Sequence, residues 1–304
     1  MFKHILVPLD GSKLAEVVLP AVARLASGMH AKVTLIHIIE KNPPEAIHGD
    51  RHLVNESEAR EYLRRVIEQS FNQGVEATYH VHTEQVSKIA ASISAHAEEL
   101  QPDLIVMCSH GNGGLRDLLA GSVAQQIVAP GKTPILLVKP HPAKTPGKDW
   151  ISPEQFKQFL VALDGDPQHE LSLITAGNLA QFYKADLNLV TVVHYLDTLP
   201  GEKKATGRFL PASTALLLDM AEEDAVEHLQ QLALPWTQAG CRVTITVERG
   251  EPSQTILQVS ERLNIDLLVL GTHGKAGLAA FWAGSVGAKL ISQSRSSLFL
   301  VPVG

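Results

Sequence analysis

The chain has 304 residues, of which 45% are hydrophobic and 19% charged, and its formal net charge is −6. That length is typical of two domains of about 150 residues each. The acidic balance, without a long Lys/Arg block, argues against general binding of nucleic acid or of an anionic membrane surface, and no window approaches about 18 consecutive apolar residues.

The first half predicts strands that alternate with helices. Its N-terminus predicts a strand entering a turn, rather than a signal peptide, because Asp10 interrupts the apolar run. A helix follows, then a strand at 32–39, a helix at about 57–73 and a strand at 75–82. Another helix leads into the apolar strand 103–107, a glycine-rich loop, a further helix and a last strand at 134–138. The first helix is indicated by apolar residues at helical spacing: Leu14, Val17, Val18, Ala21 and Leu25.

The second half repeats the same blocks in the same order. Asp10 aligns with Asp164, and the strand 32–39 aligns with 187–196. The glycine-rich loop and the last strand recur 163 positions later, the last strand at 297–301. We therefore expect a first domain at 1–140, a linker at 141–154 and a second domain at 155–304. Further elements of the second domain are a helix patterned by Leu171, Ile174, Leu179 and Phe182, a helix at about 214–239 and a strand at 241–248.

This alternation predicts an α/β protein with two tandem open parallel sheets, each covered by helices on both faces. In such sheets ligands bind beyond the carboxyl ends of the strands. The first strand of each copy ends near Asp10 or Asp164, and the fourth ends at Cys108 or Gly271. These two ends share one crevice if the strands are neighbours.

The loop after the fourth strand has the chemistry of a phosphate site in the second copy. Gly271, Gly274 and Gly284 allow backbone N–H groups to approach a phosphate, and Ser285 opens a helix whose N-terminus favours an anion. The aspartate after the first strand suits an adenine amino group or a ribose hydroxyl. For a single copy, tight strand–helix packing explains such glycines as well, but the repeated spacing favours a nucleotide.

The pattern Gly-x2-Gly-x9-Gly-Ser, after a DLIV-type strand and an early P-x-D-G-S turn, resembles the universal stress protein family over both halves of the chain. The resemblance implies a five-stranded parallel sheet of the adenine nucleotide α-hydrolase-like, Rossmann-like type, ATP or AMP binding in many members, and dimerisation through the last strand. Pairing of the strands 134–138 and 297–301 would then pack the two copies as a pseudo-dimer. Any homodimer would use other surfaces.

The resemblance also implies the binding residues. In the second copy the adenine-side residues would be Asp164 and Tyr195, and the phosphate and ribose contacts would come from Gly271, Gly274, Gly284, Ser285 and Val286. In the first copy the corresponding residues would be Asp10, Ile38, Gly111, Gly121, Ser122 and Val123.

Both copies depart from the family pattern. Cys108 takes the first glycine position in the first copy, which also lacks the Gly-Glu-Pro of residues 250–252. In the second copy Asp166 stands where the first has Ser12, and this carboxylate would either repel phosphate or help hold a metal. Tyr195 would stack on adenine or fill its pocket. The second copy is therefore the predicted principal site.

The function expected from these features is a cytoplasmic, ATP- or AMP-binding stress-response regulator with little or no hydrolysis and no catalytic residue. Two alternatives stay open. One is a weak Mg²⁺-dependent ATPase in which Asp164 and Asp166 hold the ion. The other is a scaffold that binds no nucleotide. Two cysteines, Cys108 and Cys241, provide no disulfide framework and are typical of a reducing compartment.

The histidines predict no metal site on their own. His80 and His82 alternate on one strand face, and His48 and His52 lie four apart, but no Cys or carboxylate cluster accompanies either pair. Solvated or core histidines are the favoured interpretation. For His110 and His273, inside the glycine loops, a structural hydrogen bond is favoured over phosphate contact. Cys108 is more often a buried residue at such a position than a reactive thiol.

Overall fold

A computed structural model describes residues 1–43, 45–71, 74–109, 133–142, 150–151, 156–195, 210–273 and 286–303. Contacts between Cα atoms divide the chain into two compact units. The first unit comprises Met1–Gln155 and Ser297–Pro302, and the second comprises Phe156–Ser296 and Val303–Gly304.

The strands of the described part are β1 His4–Pro8, β2 Lys32–Glu40, β3 Ala46–Ile47, β4 Asp50–Arg51, β5 Ala77–Val86, β6 Leu104–Cys108, β7 Ile135–Val138, β8 His141–Pro142, β9 Trp150–Ile151, β10 Gln158–Ala162, β11 Asp186–Val193, β12 Val243–Arg249, β13 Leu267–His273 and β14 Ser297–Val303. The helices are α1 Leu19–Met29, α2 Glu56–Ser70, α3 Ile89–Leu100, α4 Pro167–Tyr183, α5 Pro211–Gln238, α6 Pro252–Arg262 and α7 Val286–Gln293, and a 3-10 turn at Ala15–Val18 precedes α1.

The first unit is built on a sheet with the strand order β5-β2-β1-β6-β7-β14. The five strands from β5 to β7 run parallel, as the sequence predicts. The sixth strand, β14, pairs antiparallel with β7, Phe299 opposite Leu136. The last strands of the two sequence repeats therefore pair, as expected, and the contacts place β14 in the first unit. Phe299 is fully buried and lies edge-on to Phe2, with ring centroids 6.2 Å apart.

The second unit has the strand order β12-β11-β10-β13, and its described pairings are parallel. Phe159, Leu160 and Val161 of β10 are completely buried, as are Leu267, Leu268 and Val269 of β13. Such unbroken apolar strands are typical of a parallel sheet covered on both faces. The predicted α/β fold class is confirmed.

One helix buries only part of the stripe that the sequence pattern indicates. In α4, Leu179 is buried as predicted, but Leu171 and Ile174 are 50% and 54% exposed. The buried face instead includes Gly177, where α5 approaches so closely that a Cβ would clash with the ring of Trp236. The helix was predicted correctly, and its buried side was predicted in part.

The predicted linker is described only in part. Residues 141–142 and 150–151 pair as the short antiparallel strands β8 and β9.

Within the ranges that the structure describes, no helix combines the length and the apolar character needed to cross a bilayer.

Candidate functional site

The carboxyl ends of three neighbouring strands meet at one edge of the second unit's sheet. Ala162 of β10 lies opposite Leu270 of β13 on one side and opposite Val190 of β11 on the other. Asp164 follows β10 by two residues, and Gly271 follows Leu270 directly. The structure therefore brings Asp164 and Gly271 to the same edge, as predicted.

Asp164 is hydrogen-bonded on its helix side and open on the other. Nδ1 of His169 lies 2.9 Å from both carboxylate oxygens, and the backbone N–H of Asp166 donates to Oδ1 at 3.1 Å. The Asp164 side chain nevertheless remains 61% exposed. Partial burial acts to raise the pKa of Asp164, but the hydrogen bonds from His169 and the Asp166 amide outweigh it and hold this pKa below its ordinary value.

The hydrogen bond to Asp164 raises the pKa of His169, against the opposing effect of partial burial. His169 was missed by the sequence analysis. The only signal was a histidine in the first turn of the helix that follows the aspartate, where the first copy has Ala15. Its imidazole carries more positive charge near neutral pH than an ordinary histidine and stands beside the predicted ligand site.

Asp166 caps a helix. Its Oδ1 accepts a hydrogen bond of 2.9 Å from the backbone N–H of Gln168, at the N-terminus of α4. A carboxylate in this position satisfies a helix N–H and interacts favourably with the helix dipole. In the first unit Ser12 takes the same place: its Oγ accepts from the backbone N–H of Ala15 at 3.1 Å. The replacement of Ser12 by an aspartate therefore exchanges one capping residue for another.

Gly271 is needed for packing as well as for any ligand. A Cβ at this position would lie 3.0 Å from both Cα and the carbonyl oxygen of His169. Backbone atoms cannot move aside as a side chain does, so a larger residue here would push α4 away from β13. The alternative of tight strand–helix packing thus holds for this glycine, and His169 connects Asp164 with Gly271.

Cys108, at the equivalent position of the first unit, is a buried core residue. Burial, followed by the charge of Asp10, raises the pKa of its thiol to about 12. A thiol with its pKa raised in this way stays protonated at neutral pH, which favours the buried residue over the reactive thiol. Cys108 lies opposite Val138 of β7 in the sheet.

The Gly-Glu-Pro segment 250–252 starts helix α6. A Cβ on Gly250 would clash with Oγ1 of Thr255, so a larger residue here would force the Thr255 side chain to rotate. Glu251 accepts from the backbone N–H of Gln254 at 2.8 Å, and Pro252 occupies the first helical position. Glu251 also pairs with Nζ of Lys289 in α7 at 3.1 Å. The segment therefore ties the start of α6 to the helix that follows the glycine loop.

At the start of α3, the corresponding helix of the first unit, Lys88 makes no side-chain capping bond.

The remaining predicted residues fall into two groups. Val286 is the first residue of α7, Tyr195 lies two residues beyond β11 and is 51% exposed, and Ile38 is buried within β2. The ring of Tyr195 is thus about half exposed. Several predicted residues lie outside the described ranges: Gly111, Gly121, Ser122, Val123, His110, Gly274, Gly284 and Ser285, as does the side chain of His273.

The two histidine pairs singled out in the sequence have different surroundings in the structure. His48 lies in the turn between β3 and β4, and His52 follows β4 directly. They face different carboxylates: Nε2 of His48 lies 3.7 Å from Asp10, and Nε2 of His52 lies 3.7 Å from Glu40. His80 and His82 instead meet a third histidine, His96 of α3, which no spacing rule could have joined to them.

Comparison with known proteins identifies the same family over both halves. The model of the Universal stress protein family matches residues 1–139 and 155–302. A universal stress protein of Mycobacterium tuberculosis strain H37Rv is 26% identical over 318 residues, which cover 97% of this chain and 95% of that protein. A solved universal stress protein from Archaeoglobus fulgidus matches 99% of this chain and 96% of its own length, with a TM-score of 0.66 and 18% identity.

A solved universal stress protein in complex with cAMP matches 45% of this chain and 97% of its own, with a TM-score of 0.34 and 18% identity. A likeness of that degree does not specify the ligand of this chain.

Proposed function

Because the chain belongs to the universal stress protein family, we propose that it binds an adenine nucleotide, ATP or AMP, at the carboxyl edge of the second unit's sheet. In this proposal the protein is a stress-response regulator with little or no hydrolysis. The observation that supports it most is the exposed carboxylate of Asp164 on the edge that it shares with Gly271.

The base and ribose would be held by Asp164 and Tyr195. A carboxylate offers about four lone-pair positions, and those of Asp164 that face solvent are free to accept from an adenine amino group or a ribose hydroxyl. His169 fixes the carboxylate in one orientation through its contacts of 2.9 Å. The half-exposed ring of Tyr195 offers a surface on which a base can stack.

The phosphates would be held by the glycine loop and by the helix after it. We assign this role to Gly271, Gly274, Gly284, Ser285 and Val286. Helix α7 begins at Val286, directly after the loop, so its N-terminal amides and dipole favour an anion there. The raised pKa of His169 adds positive charge on the same edge.

The first unit offers a poorer site at the same position. Oδ1 of Asp10 accepts both the backbone N–H of Ser12 at 2.8 Å and its hydroxyl at 2.7 Å, and His48 approaches Oδ2. The side chain of Asp10 is 29% exposed, less than half the value for Asp164. We propose that Asp10, Ile38, Gly111, Gly121, Ser122 and Val123 form a structural counterpart, with nucleotide mainly in the second unit.

Photolabelling with 8-azido-ATP tests this assignment on the full chain. The expected result is a labelled peptide from the second unit that carries Tyr195 or the loop 271–286, with protection by unlabelled ATP. Mass spectrometry of nucleotide retained on purification distinguishes ATP from AMP. A chain that is neither labelled nor protected at millimolar ATP would support the scaffold alternative.

The weak Mg²⁺-dependent ATPase is the second candidate, since Asp164 and Asp166 are both carboxylates at this edge. Asp166→Ser is a sharp test because serine also caps helices, as Ser12 does in the first unit. The variant removes the charge and keeps the cap. If the capping account is right, turnover with Mg²⁺ is the same in both proteins, whereas an ATPase that uses Asp166 loses its activity.

We further propose that the protein works in the cytoplasm. Both cysteines, Cys108 and Cys241, are free in the structure, as is usual in a reducing compartment.

A further inference from the structure

A cluster of three histidines lies in the first unit, among residues that the proposed nucleotide site does not use. His80 and His82 are two residues apart on β5 and therefore face the same side of the sheet. His96 comes from the next element, helix α3. Their ligand-capable atoms all lie within 4.8 Å of one another.

The rings are close and share a hydrogen bond. Nε2 of His96 lies 3.0 Å from Nδ1 of His82. The ring of His96 stands edge-on to both partners, with centroids 4.6 Å from His80 and 5.0 Å from His82. The three side chains thus converge on one point between β5 and α3.

We propose that His80, His82 and His96 form a site for a divalent transition-metal ion, with Zn²⁺ as its first candidate. Three imidazoles suit Zn²⁺, Cu²⁺, Ni²⁺ or Co²⁺, whereas Mg²⁺ and Ca²⁺ prefer oxygen ligands. Three protein ligands leave the fourth tetrahedral position to water.

The distances between the three ligand nitrogens are close to those in a tetrahedral zinc site. Tetrahedral zinc with Zn–N bonds of about 2.0–2.1 Å separates its nitrogen ligands by about 3.3 Å. The His82–His96 pair at 3.0 Å is already near that value. A rotation of the His80 ring about its side-chain torsions brings the third nitrogen closer, since no ligand atom starts beyond 4.8 Å from another.

The carboxylate of Glu99 orients the key ligand. Oε2 of Glu99 lies 3.3 Å from Nδ1 of His96. A proton on Nδ1 donated to this carboxylate leaves Nε2 of His96 with its lone pair toward His82. Metal-binding histidines commonly have such a carboxylate partner, which fixes the tautomer and raises the basicity of the ligand.

The hydrogen bond between His96 and His82 marks the place for the ion. With Nε2 of His96 as the acceptor, Nδ1 of His82 carries the proton of this bond. Metal binding needs the lone pairs of both nitrogens, so the proton leaves Nδ1 of His82 to solvent while Nε2 of His82 takes up a proton, and the imidazole stays neutral.

Zinc titration of the full chain tests the proposal, with isothermal calorimetry and a zinc-sensitive dye as readouts. The expected result is one Zn²⁺ per chain that competes with the dye. His96→Gln and His82→Gln should each weaken binding by at least about tenfold, and Glu99→Gln by about tenfold through the lost partner. The matched control is His30→Asn, an exposed histidine outside the cluster at a left-handed position (φ 55°) that asparagine tolerates.

Cobalt gives a second readout, an absorption spectrum that reports the coordination of the bound ion rather than its affinity. Co²⁺ bound by the three imidazoles should show the visible d–d bands of a four-coordinate ion, absent from His96→Gln. Thermal unfolding in EDTA confirms that each variant is folded. Absence of zinc binding in the folded wild-type chain would overturn the site, and so would binding that both His96→Gln and His82→Gln retain unchanged.

Discussion

The two units solve the same structural problem, the turn after their first strand, in different ways. In the first unit, Oγ of Ser12 accepts from the backbone N–H of Ala15, where a short 3-10 turn begins, and Cys108 is buried at the end of the fourth strand. In the second, Asp166 caps a regular helix whose backbone lies against Gly271. Gly271, Asp166 and His169 depend on one another. Asp166 caps α4, His169 lies in the first turn of α4, and the backbone of that turn packs against Gly271.

This comparison changes the meaning of the glycine. A glycine at the end of the fourth strand is expected to let a phosphate approach the backbone. In this structure, Gly271 also allows the backbone of α4 to pack closely against the strand. The same approach places His169 against Asp164 and leaves the carboxylate oriented and exposed. Tight packing and an oriented, exposed carboxylate are therefore two consequences of one arrangement in the second unit.

The largest effect is expected for Gly271→Ala. Its Cβ would lie 3.0 Å from two backbone atoms of His169, and overpacking of this kind costs about 1–3 kcal/mol. Urea unfolding should show the loss, and hydrogen exchange should be faster in peptides of α4.

The matched change in the first unit, Cys108→Ala, removes a buried sulfur without forcing a helix to move. We expect it to leave α4 exchange unchanged. Equal exchange of α4 in Gly271→Ala and the wild-type chain would show that the strand and helix are not in close contact.

A smaller effect is expected at the caps. Asp166→Ala removes the acceptor for the backbone N–H of Gln168 and should cost about 1 kcal/mol, as should Ser12→Ala in the first unit. Asp166→Asn and Asp166→Ser should be close to the wild-type chain in thermal unfolding. A loss that appeared in Asp166→Ser as well as in Asp166→Ala would mean that the charge, rather than the cap, matters.

The secondary structure and the fold could be predicted because they depend on local periodicity. Apolar runs and helical spacing gave the strands and helices of both units close to their observed bounds, and the pairing of β14 with β7 was expected from the position of the last strands. The contacts that depend on side chains distant in sequence or on helix rotation could not be predicted in this way.

Three cases show this limit. His96 meets His82 across a strand–helix packing, 14 residues apart, and no linear spacing indicates that contact. Leu171 and Ile174 fit a helical stripe but are exposed, and the buried face instead includes Gly177, which Trp236 approaches closely. The contact between His169 and Asp164 depends on the direction in which α4 leaves the turn, which no local pattern specifies.

The smallest effect is the pH dependence of the Asp164–His169 pair. The pKa of His169 is raised above its ordinary 6.5, so its stabilising contribution is complete below pH 6.5 and is lost as the pH rises through the raised value. The pKa of Asp164 lies below its ordinary 3.8, so the pair also weakens as the pH falls through that lowered value.

Between pH 6 and 8 the wild-type chain should therefore lose stability relative to His169→Gln. The difference should stay below about 1 kcal/mol, because the carboxylate is largely exposed to solvent. Thermal unfolding of both proteins across this range measures it. If the thermal stability of the two proteins changes with pH in the same way, the Asp164–His169 pair does not contribute to stability.

The central claim, that the two units differ in nucleotide binding, is tested most directly by calorimetric titration of the full chain with ATP. Three proteins are compared: the wild-type chain, Asp164→Ala in the second unit and the matched Asp10→Ala in the first. We predict about one site per chain, weakened at least tenfold by Asp164→Ala, as expected for the loss of hydrogen bonds to a charged group, and retained in Asp10→Ala. Two equal sites, or a site lost only in Asp10→Ala, would contradict the claim.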